Sequence, residues 1–165
     1  MEELLYKIAI TLIPNVGPVT TRNLVSYCGG VKAVFEARKR ELLKVPGVGP
    51  LIADNIVNQD VLGRAEEEWR FIEDNSIQAL FYLDDDYPGR LRHYPDSPAM
   101  LYYKGQADLN GERIVAIVGT RRPSVHGVHT CEELVEGLKR YGATIISGLA
   151  YGIDITAHRK CLSLD

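Results

Sequence analysis

Two stretches of this chain combine backbone donors and cationic side chains in a way that could hold an anion. The first is Val115-Ala116-Ile117-Val118-Gly119-Thr120-Arg121-Arg122-Pro123-Ser124-Val125-His126-Gly127. It opens as an apolar run ending in a tight glycine turn. A dinucleotide site would go on with further glycines, so that the backbone could close on a pyrophosphate. Here Thr120, Arg121 and Arg122 follow instead, and a guanidinium supplies charge and forked donors that glycine lacks. The second stretch, Ile145-Ile146-Ser147-Gly148-Leu149-Ala150-Tyr151-Gly152-Ile153-Asp154, repeats the pattern of apolar run, glycine turn and helix start. Gly119, Gly127, Gly148 and Gly152 are expected to keep the backbone accessible in both turns. A competing use of Arg121 and Arg122 is ion pairing with Glu132 or Glu133.

Other chemistry-bearing residues point elsewhere. Asp154 and His158 stand four apart, as an acid–base pair on one helix face would. No nucleophile or metal cluster accompanies them, so the expectation is that Asp154 caps the helix or bonds the loop backbone while His158 packs beneath it. His126 and His129 begin a helix and read equally as exposed polar residues or phosphate contacts. Asp84-Asp85-Asp86 is expected to be a solvated loop, because consecutive carboxylates on an extended chain diverge. Cys28, Cys131 and Cys161 are odd in number and far apart, which argues against zinc and for a reducing, cytoplasmic setting.

The elements that position the two turns follow from periodicity. Residues 113–118 read as a parallel strand buried on both faces, apolar without alternation, followed by a helix over about 125–141. Residues 143–147 read as a second strand, with a helix starting near Ile153. Strand, helix, strand, helix makes a right-handed βαβα unit. Its two outgoing loops, 119–125 and 147–152, then share one sheet edge, where helix N-termini attract anions.

Earlier in the chain lies an internal repeat. Leu12-Ile13-Pro14-Asn15-Val16-Gly17-Pro18 matches Lys44-Val45-Pro46-Gly47-Val48-Gly49-Pro50 at four of seven places, 32 residues apart, and Leu24-Val25 aligns with Ile56-Val57. Apolar residues at helical spacing precede each loop, and a proline opens the helix after it. This resembles a tandem helix-hairpin-helix module. The resemblance implies that hairpin amides meet nucleic-acid phosphates without reading bases, with Lys44, Gly47 and Gly49 as the contact residues. A purely architectural pair of hairpins stays open, because Asn15 replaces a hairpin glycine. Arg22 and the run Arg38-Lys39-Arg40 are the other local cations. Residues 61–75 read as a helical connector with Trp69 as a packing anchor, and 79–82 and 100–103 as short strands around a proline-rich loop.

Bulk properties restrict the partners. With 45% hydrophobic and 25% charged residues the chain is an ordinary globular protein with no membrane-spanning run and no signal peptide at its start. The net charge of −3 is unevenly spread. Residues 1–58 carry seven basic and five acidic side chains, 59–111 five and eleven, and 112–164 seven and five. Two mildly basic ends therefore flank an acidic middle, which is compatible with nucleic acid on the ends.

Taken together, VAIVGTRRPSVHG, IISGLAYGIDITAH (145–158) and YPGRLRHYPDSPAMLYYKG (87–105), after paired hairpins, resemble the DNA-processing protein A (DprA/Smf) family along essentially the whole chain. The resemblance implies an α/β protein in which an all-α tandem helix-hairpin-helix (SAM-like) domain (1–60) and the connector (61–75) precede a partial Rossmann-like parallel sheet (76–165). It implies single-stranded DNA as ligand, a RecA-type recombinase as partner during natural transformation, self-association, and no catalysis, cofactor, metal or membrane. The DNA contacts it implies are Gly119, Thr120, Arg121, Arg122 and Gly127, with Ser147, Gly148, Leu149 and Gly152 in the second turn. Tyr151 departs from the family, whose members often carry a basic residue there; stacking could substitute for the lost charge. The family's sheet continues past the second βα unit, whereas this chain stops at Asp165. The alternative is a Rossmann-like nucleotide enzyme, such as a nucleoside-monophosphate N-glycosidic hydrolase, which needs an acidic pair near the phosphate turn.

Overall fold

A computed structural model of the chain describes residues 2–164. The chain divides at Asn110/Gly111 into two compact units. The first contains α1 (Glu2–Leu12), α2 (Pro18–Cys28), α3 (Val31–Glu36), α4 (Lys39–Leu42), α5 (Pro50–Val57) and α6 (Leu62–Asp74). It is completed by β1 (Gln78–Phe81), the single turn α7 (Gly89–Arg92) and β2 (Met100–Tyr103).

The apolar stripes of these helices converge on one core. Ile8 and Ile10 of α1, Leu24 of α2, Val34 of α3, Leu42 of α4 and Ile56 of α5 are wholly buried. Each such side chain contributes about 1.5–3 kcal/mol by leaving water. The segment expected to be a connector belongs to this core instead. Helix α6 packs along α1, buries Ala65 and Ile72, and lays Trp69 against the same cluster.

The strands β1 and β2 also belong to this first unit, which moves the structural boundary from the expected 75/76 to 110/111. They pair antiparallel, Gln78 opposite Tyr103 and Phe81 opposite Met100. Phe81 and Met100 bury in the helical core, so the hairpin has its apolar face covered by helices of its own unit. Lys7 on α1 pins the turn after β1, 2.7 Å from Asp84, and Asp84 in turn accepts the amide of Phe81 at 2.7 Å. Burial works against the Lys7 charge, and its bonds to Asp84 and Glu3 outweigh that, so the lysine titrates above its ordinary value.

The second unit holds β3 (Ile114–Ala116), α8 (Val125–Lys139), β4 (Thr144–Ile146) and α9 (Ile153–Leu164). The strands pair in parallel, Ile114 opposite Thr144 and Ala116 opposite Ile146. Cys131 and Val135 of α8 and Ala157 of α9 form the core, against which Ile117 and Ile145 pack. The expectation of strands buried on both faces fails. Successive side chains alternate across a sheet, and within this unit only the face bearing Ile117 and Ile145 is covered, while Val118 and Ile146 stay exposed. Among the described residues no helix is long and apolar enough to cross a membrane.

Candidate nucleic-acid interface

The geometry of the second unit begins with one buried carboxylate. Asp154, in the first turn of α9, is 3% exposed. Its Oδ1 accepts the amide of Gly119 at 3.3 Å, and its Oδ2 accepts that of Gly148 at 3.0 Å. One side chain therefore ties the turn after β3 to the turn after β4. The same loops meet again where the Ile153 amide donates to the Thr120 carbonyl at 3.1 Å. Loops 119–125 and 147–152 are thus joined side by side, as parallel strand order requires.

This bonding changes what the glycines do. The amides of Gly119 and Gly148 turn inward to Asp154 and do not face an incoming anion. Gly127 donates to Ser124 Oγ at 3.1 Å, the N-cap bond of α8. Gly119 and Gly152 are glycines for want of space. A Cβ on Gly119 would stand 2.7 Å from Ile153 Cβ, and one on Gly152, whose φ is +91°, 2.7 Å from Arg121 Cα. Arg121 packs its backbone on Gly152.

Within the second turn, Ser147 Oγ lies 2.7 Å from His158 Nε2 and accepts the amide of Leu149 at 3.0 Å. Leu149 is held at φ +53°, a left-handed conformation costly for a bulky side chain. His158 thus buttresses the turn, and Asp154 bonds the loop backbone.

Arg121 and Arg122 are exposed, and among the described residues neither forms an ion pair. Glu133 is engaged by His129 at 3.3 Å instead. The Arg122 amide bonds Thr120 Oγ1 at 3.2 Å, which shapes the turn while both guanidiniums remain in solvent. Arginines without carboxylate partners on a fixed turn are suited to an external anion.

The hairpins of the first unit form a second candidate surface. Asn15 and Gly47 occupy matching left-handed positions, φ +64° and +82°, so the substitution in the first copy preserves the turn. Gly17 and Gly49 are extended N-caps without side-chain acceptors, which leaves the first-turn amides of α2 and α5 open. The copies differ in their cations. Lys44 is exposed and has no ion-pair partner among the described residues. Arg22 is spent internally, donating to Ser97 O at 2.7 Å, Pro95 O at 3.1 Å and Ser97 Oγ at 2.8 Å, with its guanidinium over the Tyr82 ring. Lys39 pairs with Asp54 at 2.5 Å.

A feature not anticipated from sequence joins the two copies. Asn55 donates to Pro14 O at 2.9 Å, and Asn23 donates to Pro46 O at 3.0 Å. Each hairpin is bound by the asparagine of the other repeat. The signal was present, because Asn23 and Asn55 are also 32 residues apart.

The family model described as DNA recombination-mediator protein A matches residues 78–165, and a helix-hairpin-helix motif matches residues 8–59. The chain belongs to the DNA recombination-mediator protein A family. Protein Smf of Synechocystis is 32% identical over 97% of this chain and 41% of its own length. The DNA processing protein DprA of Streptococcus pneumoniae is 44% identical over 48% of this chain and 28% of its own. The crystal structure of DprA from that species superposes with a TM-score of 0.70 at 24% identity, over 96% of this chain and 53% of that one, and shows the same fold. The chain therefore spans about half or less of the relatives it matches. The family model begins at Gln78, the first residue of β1, so the family's boundary precedes the division between the compact units.

Proposed function

We propose that this chain binds single-stranded DNA, holding its phosphates with Arg121 and Arg122 on the joined loops of the second unit. The observation that carries this reading is the pair of exposed guanidiniums without ion-pair partners, mounted on a turn that Asp154 and Gly152 fix. Thr120, Gly127, Ser147, Gly148 and Leu149 shape the loops that carry them. Lys44, with the open amides beyond Gly47 and Gly49, supplies a separate, sequence-blind phosphate contact on the first unit.

Membership of a recombination-mediator family supports a role in delivering a strand to a RecA-type recombinase, and the free edge of β4 in the two-stranded sheet supports self-association. The nucleotide-hydrolase alternative needs an acid at the phosphate turn. Asp154 is buried and already accepts two amides, which favours the non-catalytic reading. Fluorescence anisotropy with labelled single and double strands, titrated with salt, tests the proposal. Binding should prefer the single strand and weaken linearly in log–log form with salt. Equal affinity for both, or no salt dependence, would overturn it.

A further inference from the structure

The loop that fixes Arg121 also presents an aromatic ring. Tyr151 is 85% exposed and has no hydrogen bond, ring contact or cation above its ring among the described residues. Its backbone, by contrast, is tightly held. Gly148 is bonded to Asp154, Gly152 packs against Thr120 and Arg121, and the amide of Ile155 donates to Ala150 O at 3.2 Å. An exposed tyrosine on a floppy loop would be unremarked; one whose neighbour Gly152 is packed on the backbone of Thr120 and Arg121 is preorganised for a flat ligand. Leu149 is likewise exposed, and its left-handed backbone holds it in the same turn.

We propose that Tyr151 is a stacking platform for an unpaired base of the bound DNA strand. This rests on the reading of the adjoining loops as the phosphate grip. Guanidiniums alone attract any polyanion, duplex included. A ring meets a base face only where that face is not already stacked within a helix, so Tyr151 gives the site its preference for single strands. Arg121 holds the backbone and Tyr151 holds the base, and the two contributions have different salt dependence.

The test measures the full chain and its Tyr151→Phe, Tyr151→Ala and Arg121→Ala variants on three ligands across a salt series. The ligands are an oligo-thymidine strand, an abasic strand of equal length, and a duplex. Circular dichroism confirms that each variant is folded. Tyr151→Phe should bind like the parent. Tyr151→Ala should lose about tenfold to a hundredfold on oligo-thymidine and nothing on the abasic strand, with an unchanged salt slope. Equal losses on both strands, or no loss on either, overturn the stacking role. If Arg121→Ala leaves every affinity unchanged while Tyr151→Ala shows the selective loss, the phosphate grip fails and the platform stands. If Arg121→Ala weakens all ligands and Tyr151→Ala none, the grip stands and the platform fails.

Discussion

Gly152 packs so closely on Arg121 that a Cβ added to the glycine would lie 2.7 Å from the arginine Cα. The contact forces the two loops together, and the glycine's φ of +91° is one that other residues rarely adopt. Gly152→Ala should therefore open the loop pair and weaken DNA binding as much as removing Arg121. Gly127→Ala is the contrast, because its Cβ would meet nothing nearer than 3.5 Å, within an ordinary helical turn. It should bind DNA normally and melt at the parent temperature or slightly above. Parallel binding and thermal-melt measurements on the two variants check this.

Asp154 should matter to fold before it matters to binding. Asp154→Asn keeps the shape but can accept with only one of its two side-chain atoms, leaving the part-buried amide of Gly119 or Gly148 without its acceptor. The second unit should lose about 1–3 kcal/mol. Hydrogen exchange should show faster exchange at those two amides and through α8 and α9, while α1 and α6 keep their protection.

How much of this was legible in the sequence depends on the range of the interaction. The βαβα order, the parallel pairing and the joined loops follow from apolar runs and glycine turns, which are local signals. The compact units divide after β2 although the family model begins at β1, because the burial of Phe81 and Met100 in the helical core is a non-local contact that no local signal announces. Helix α3 went unread, since six residues carry too little periodicity, although Val31 and Val34 are buried. The inward turn of the Gly119 and Gly148 amides was equally hidden, because it depends on a carboxylate 35 residues further along in one case.

Arg22 illustrates the same limit. By sequence it is a cation beside a hairpin, yet it clamps the proline-rich loop through Ser97 and Pro95. Arg22→Ala should destabilise the first unit by about 1–3 kcal/mol, since the buried Ser97 loses a charged donor, and should leave the salt slope of DNA binding unchanged. A drop in that slope of about one contact would reassign Arg22 to the DNA surface.

The reciprocal asparagines make a paired prediction. Asn23→Ala and Asn55→Ala should each cost about 1 kcal/mol in chemical denaturation of the first unit. Because each removes one of two symmetric bonds between the same repeats, the double variant should deviate from additivity. Strictly additive costs would show that the two bonds act independently.

The most direct test of the central claim compares Arg121→Ala and Arg121→Lys in single-strand binding across a salt series. Arg121→Ala should weaken binding by about 1–3 kcal/mol and lower the salt slope by about one phosphate contact, with little change in melting temperature. Arg121→Lys should keep the slope and recover only part of the affinity, because it keeps the charge and loses the fork. An Arg121→Ala variant that melts early while its folded fraction binds with parental affinity and slope would contradict the claim and make Arg121 a structural residue.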